Sequence, residues 1–207
     1  MRRAALLVVL AAALAACVSS NGGRPVDPVA ASEANVRLGV AYMNQGKLAD
    51  AKEKLERAEK QNPKSAEAQF ALAELYGRLD QPKDAERRYR NAISLAPDKL
   101  EIVNGYAAFL CSSGEIDRGI AEFERLVNNP LYGRQAVAAT NAGICLRDNK
   151  RLADSVRYFE MALAKQPDYV DAVVYLADVQ IQLDKPELAR RAVDNYQSMR
   201  SSPRVLL

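Results

Sequence analysis

The chain of 207 residues contains no histidine. A Ser-His-Asp triad, a Cys-His nucleophile pair and a histidine-bearing zinc site are therefore all excluded. It also lacks a GxxxxGK[ST] phosphate loop and a GxGxxG turn. Carboxylate-only or lysine-based chemistry stays open in principle, but no paired-carboxylate constellation stands out from the charged helix faces. The reading is that the chain is not an enzyme, with no metal site, no cofactor and no small-molecule substrate. Excess charge is missing as well. Lys and Arg number 29 against 26 Asp and Glu, and setting aside Arg2 and Arg3 at the N-terminus leaves 27 against 26. Such a balance, with signs interspersed, gives no reason to expect nucleic acid as a partner.

The apolar run at the N-terminus is short. Met1-Arg2-Arg3 is basic, Ala4 to Ala13 is apolar but too short for a membrane-spanning helix, and Leu14-Ala15-Ala16-Cys17 follows. This pattern resembles a bacterial lipobox. The resemblance implies that residues 1–16 are a lipoprotein signal peptide and that the sulfur of Cys17 is lipidated and becomes the mature terminus. The alternatives are an ordinary signal peptide with Cys17 incidental, or a plain membrane anchor. In lipoproteins of this kind a residue 18 other than Asp, here Val18, implies the outer membrane, with the protein facing the oxidising periplasm. Each buried methylene contributes about 0.8 kcal/mol, and the two or three chains typical of such lipoproteins make attachment effectively permanent. Residues 17–31, small, polar and punctuated by Pro and Gly, read as the lipidated N-terminus and a flexible tether.

Beyond the tether the chain is periodic, with a period of about 34 residues. The first unit carries Leu38-Gly39, Tyr42, Ala51, Leu55, Ala58 and Pro63. The second carries Leu72-Ala73, Tyr76, Ala85, Tyr89, Ala92 and Pro97. The third carries Tyr106-Ala107, Leu110, Gly119, Phe123 and Leu126. The fourth begins 36 residues on, with Ala142-Gly143, Leu146, Ser155, Phe159, Ala162 and Pro167. The fifth carries Leu176-Ala177, Ala189 and Val193. These residues resemble the tetratricopeptide repeat. Within each unit apolar residues recur at three- and four-residue spacing, as in an amphipathic helix, and a polar break divides the unit into a helical hairpin. Pro63, Pro97 and Pro167 close the second helices. A hairpin cannot bury its apolar face alone, so the hairpins stack. The expected fold is all-α: a right-handed superhelix of about five tetratricopeptide helix-turn-helix repeats over residues 32–198, with 199–207 as a C-terminal tail. A non-repeating helical bundle is the alternative.

Cys111 and Cys145 fall late in the first helices of units three and four. First helices of successive tetratricopeptide repeats lie side by side, which implies that the two sulfurs can meet and clamp the joint carrying the two-residue insertion. The bridge would contribute roughly 3–4 kcal/mol through loop-closure entropy. Two unpaired buried cysteines acting as small apolar residues are the alternative.

A narrower resemblance sits at the same joint. Asn104-Gly105-Tyr106-Ala107-Ala108-Phe109-Leu110-Cys111, Pro130-Leu131-Tyr132 and Asn141-Ala142-Gly143-Ile144-Cys145, together with the lipobox, are similar to the type IV pilus biogenesis/stability lipoprotein family, PilW/PilF. The glycine near Tyr106 is displaced from that family's pattern, and five repeats are clear where some members have six. The resemblance implies a pilotin, an assembly factor whose partner is the secretin subunit of the type IV pilus. The alternative is an adaptor for another envelope machine serving peptidoglycan enzymes or outer-membrane protein assembly. First-helix positions two, five, nine and twelve of such repeats face the concave groove, so the candidate partner-binding residues are Val36, Val40, Met43, Phe70, Glu74, Asn104, Ala108, Thr140 and Ile144, with Tyr175 close by. Each of these could instead serve packing between repeats. The face is mixed but largely apolar and lacks the Lys/Asn/Arg set that clamps a C-terminal carboxylate in chaperone-binding repeats.

Overall fold

The computed structural model describes residues 27–201, with side chains as far as Gln197. The leader, Cys17 with the tether as far as residue 26, and the tail from residue 202 lie outside the described residues. Ten helices are described, and no strand occurs among the described residues. They are α1 (Pro28–Asn44), α2 (Leu48–Gln61), α3 (Ala66–Arg78), α4 (Pro82–Leu95), α5 (Leu100–Ser112), α6 (Ile116–Val127), α7 (Gln135–Asp148), α8 (Leu152–Lys165), α9 (Val170–Gln182) and α10 (Pro186–Ser201). They form five helical hairpins stacked as an all-α superhelix.

Each hairpin turns through the same backbone device. The left-handed residue is Gly46, Asp80, Gly114, Lys150 or Asp184, with φ of 74°, 56°, 85°, 63° and 57°. The amide of the following residue then donates to a carbonyl five residues back: Lys47 to Tyr42, Gln81 to Tyr76, Glu115 to Leu110, Arg151 to Leu146 and Lys185 to Gln180, all at 2.8–2.9 Å. This is the Schellman closure, which satisfies carbonyls left orphaned at a helix end. Only two of the five turns use glycine, the residue that adopts this conformation without steric cost.

Small residues set the approach within a hairpin. A Cβ on Gly39 would lie 2.5 Å from Leu55 Cδ2, and one on Gly143 would lie 2.5 Å from Phe159 Cε1. The displaced Gly105 has its own purpose: a Cβ there would lie 2.6 Å from Phe70 Cε2, so the glycine admits the ring of the preceding repeat. Phe123 and Phe159 are fully buried at equivalent positions of the second helices α6 and α8.

Curvature follows from which helices touch. The backbones of successive first helices, α1, α3, α5, α7 and α9, pack directly on one another, whereas those of successive second helices do not. The second helices of the first four repeats are joined by charged side chains instead: Arg88 with Glu59, Arg118 with Glu86 at 2.9 Å, Arg151, just before α8, with Asp117 at 2.7 Å and Arg157 with Glu124 at 3.1 Å. The first helices therefore line the inner, concave side.

Two boundaries differ from the sequence expectation. Helix α1 starts at Pro28, so residues 28–31, assigned above to the tether, are helical. Asp27 Oδ1 accepts from the Val29 amide at 2.9 Å, Pro28 occupies the first turn, and the buried Ser32 hydroxyl donates to Ala58 O at 2.8 Å. Helix α10 continues to Ser201, past residue 198, because no breaker precedes Pro203. The joint with the insertion is built from Asn128 to Arg134. There Asn129 Oδ1 accepts from the Leu131 amide at 2.9 Å, Tyr132 is buried, and Leu131 stands 88% exposed.

Candidate functional site

The concave row can be followed through the ninth position of each first helix: Val40, Glu74, Ala108, Ile144 and Asp178. Val36, Val40, Phe70, Glu74, Asn104 and Ile144 are half-buried and Ala108 is exposed, so these candidates present surface to the groove. Two candidates do not. Met43 and Thr140 are each 2% exposed. Met43 packs into the core of the first two hairpins, and its carbonyl accepts from Arg78 Nη1 at 2.9 Å. Thr140 is covered in the stack and turns its hydroxyl back to Ala136 O at 2.9 Å. Met43 therefore belongs to packing between repeats, and Thr140 is closed off from the groove. Tyr175 is also engaged in structure: its ring stacks on Phe159 at 5.7 Å and lies under the Arg147 guanidinium at 4.7 Å.

Positions five and twelve of the fifth repeat are Val174 and Ile181, exposed by 57% and 63%. Helix phase alone places both, rather than Tyr175, on the concave side. Among the described residues no further hairpin follows to cover them. At the opposite end Leu38, a core position in later repeats, is 49% exposed because no described hairpin precedes it.

Cys111 and Cys145 are joined by a disulfide, with Cα atoms 5.7 Å apart. The bridge is possible because α5 and α7 stack directly and because Gly119 leaves room: a Cβ there would lie 2.6 Å from Cys111 Sγ. Beside it the groove dips into a cavity of about 230 Å³ lined by Ala108, Asn141, Ile144 and Asp148. Asn141 Nδ2 donates to Asn104 Oδ1 across the same two helices at 3.3 Å. A larger cavity, about 570 Å³, lies away from this row between α8, α9 and α10, lined by Leu163, Val173, Leu176 and Leu188. Gln180 Oε1, buried there, has no hydrogen-bond partner.

The electrostatics of the groove centre on Glu74. Burial pushes its carboxyl pKa up, against a smaller opposing influence of Arg78. It adjoins an aromatic cluster in which Tyr89 lies 5.9 Å from Phe70 and 5.2 Å from Phe109 between ring centroids. Burial raises the pKa of the Tyr89 hydroxyl, and the Glu74 charge raises it further. No group of three or more metal-ligating side chains occurs among the described residues, and no helix there is long and apolar enough to cross a membrane. A stacked, curved array with an inner face of exposed side chains is a surface for holding another chain.

The chain belongs to the tetratricopeptide repeat family, which matches residues 36–80, 71–136 and 140–203. It is homologous to the type IV pilus assembly protein PilF of Pseudomonas aeruginosa, with 28% identity over 181 residues, or 86% of this chain and 72% of the relative. A solved structure of Pseudomonas aeruginosa PilF has a TM-score of 0.68 at 24% identity, over 83% of this chain and 77% of that one. The structure of PilW, a widely conserved type IV pilus biogenesis factor, has a TM-score of 0.66 at 28% identity, over 84% and 79%. The MamA protein of Desulfovibrio magneticus shares the fold alone, with a TM-score of 0.60 at 13% identity over 83% and 97%.

Proposed function

We propose that the chain is a type IV pilus biogenesis factor: a periplasmic lipoprotein, anchored in the outer membrane through Cys17, that acts as pilotin and assembly factor for the secretin subunit. The observation that carries this reading is that the likeness to PilF runs through 181 residues, 86% of the chain, far more than a single repeat. The lipobox and the residues around Cys111 and Cys145 support it from the sequence. The mechanism is carriage. The lipid directs the protein to the membrane, and the concave face holds a segment of the secretin subunit until the ring closes. Holding that segment shields apolar surface or an open strand edge that would otherwise aggregate.

Deleting the gene is expected to reduce detergent-resistant secretin multimers and twitching motility, with recovery on return of the native gene and not of the Cys17→Ser variant. Unchanged multimers in the deletion strain would overturn the proposal. Recovery of peptidoglycan enzymes or outer-membrane assembly proteins in place of secretin, by affinity capture from membranes, would do so too.

A further inference from the structure

Glu74 is the one charged residue of the ninth-position row before the final repeat, where the row reads Val40, Glu74, Ala108, Ile144 and Asp178. It is half-buried, yet it makes no hydrogen bond and no ion pair within 4 Å among the described residues. The cation one turn on, Arg78, spends a donor on the Met43 carbonyl at 2.9 Å. A carboxylate drawn partly out of water and offset only in part by Arg78 is costly, and a closer counter-charge relieves that cost. Its surroundings are shaped to admit one. Phe70 lies one turn before Glu74 and Gly77 one turn after it on the same stripe of α3. Gly77 is exposed, and a Cβ there would meet only Phe109 Cδ2, at 3.6 Å. In the next first helix the row continues with the small, exposed Ala108. The result is a half-buried carboxylate whose neighbours along the groove are the half-buried Phe70 and the small, exposed Gly77 and Ala108.

Resting on the reading of the concave face as a partner-binding groove, we infer that the groove surface around Glu74 is a socket for one basic side chain, Lys or Arg, carried within an otherwise apolar stretch of the bound chain. The aliphatic stem lies along the half-buried Phe70, and the charged head reaches Glu74. The raised pKa of Glu74 is what a carboxylate only partly offset in such a place shows. A single charge in an apolar row also fixes register, because sliding the partner along the groove would strand both charges. The socket therefore decides which residue of the partner stands over the second repeat.

Random twelve-residue peptides displayed on phage are panned against the purified full chain, and the selected peptides are then measured as free labelled peptides by fluorescence anisotropy. The expected peptides carry Lys or Arg with apolar residues on both sides. They bind Glu74→Gln at least about tenfold more weakly, as loss of a charge-assisted contact requires, while Glu74→Asp retains part of the affinity. Replacing the basic residue by norleucine should weaken binding to the native chain and add no further loss on Glu74→Gln. Thermal melting of Glu74→Gln no lower than that of the native chain keeps a folding effect out of the comparison. The inference is overturned by selected peptides without a basic residue, by binding to Glu74→Gln within about twofold of native, or by no selection from the library. Secretin multimers are scored in cells without these peptides, so failure of the pilus role and failure of the socket register separately.

Discussion

Two glycines in first helices make opposite predictions for one substitution. At Gly143 an added Cβ would lie 2.5, 2.7 and 2.8 Å from Phe159 Cε1, Cζ and Cδ1. That ring cannot step aside: it is fully buried against Leu176 and Val179, with Tyr175 stacked on it at 5.7 Å. Overpacking of this kind costs about 1–3 kcal/mol, while Gly→Ala within a helix recovers about 1 kcal/mol. At Gly77 the same methyl group meets only Phe109 Cδ2 at 3.6 Å, so the helix gain of about 1 kcal/mol stands alone. Gly77→Ala should therefore exceed Gly143→Ala in stability by about 1–3 kcal/mol. At roughly 2–4 °C per kcal/mol for a domain of this size, the two melting midpoints should separate by roughly 2–12 °C. Circular dichroism at 222 nm measures both. Repeats two and three carry Ala73 and Ala107 at the position of Gly143, opposite Tyr89 and Phe123. Those two hairpins are less closely apposed than α7 and α8. If Gly143→Ala melts as high as Gly77→Ala, then α7 and α8 relax freely to that wider spacing, and the close-approach reasoning fails.

Reducing the Cys111–Cys145 bridge, or replacing both cysteines by serine, should cost about 4 kcal/mol from the entropy of a 34-residue loop, read as a lower urea midpoint; an unchanged midpoint would show that stacking alone holds the joint. Lys150→Gly should raise stability by about 0.5–1 kcal/mol and Gly114→Lys should lower it, because both positions hold left-handed backbone; equal melting of the two variants would refute this. Acid should destabilise the array. Hydrogen bonds from Arg118 to Glu86 and from Lys99 to Glu67 hold those carboxyl pKa values below the ordinary range, and the bonds from Arg88 and Gln69 do so at Glu59 against the opposing effect of burial. A lowered folded-state pKa contributes stability above the unfolded value of about 4.3, and that stability disappears as pH falls through the folded value, so the melting midpoint should drop between about pH 5 and pH 3. Glu74 has the opposite sign, its raised pKa withdrawing stability as pH rises, so Glu74→Gln should stabilise at pH 7 and lose that advantage at pH 3.

The helical hairpins and their stacking were legible in the chain, because a 34-residue period with small residues at matched places admits few other burials. Ala51, Ala58, Leu72, Ala85, Ala92, Phe123 and Phe159 are core residues, as their spacing implies. Local chemistry could also have placed the first helix correctly, since Asp27-Pro28 is a start signal that lay inside an apparently tether-like stretch. The groove was legible only as a list of positions. Helix phase says which way a side chain points from its own axis, but exposure depends on how closely the next hairpin is laid upon it. That closeness buried Met43 and Thr140 and, at the end of the described stack, left Val174 and Ile181 open. It also brought Cys111 to Cys145 and left Glu74 with no ion pair within 4 Å among the described residues. Periodicity is a property of one chain read along its length, whereas these pairings depend on distances between helices 34 residues or more apart, and only the packed backbone sets those.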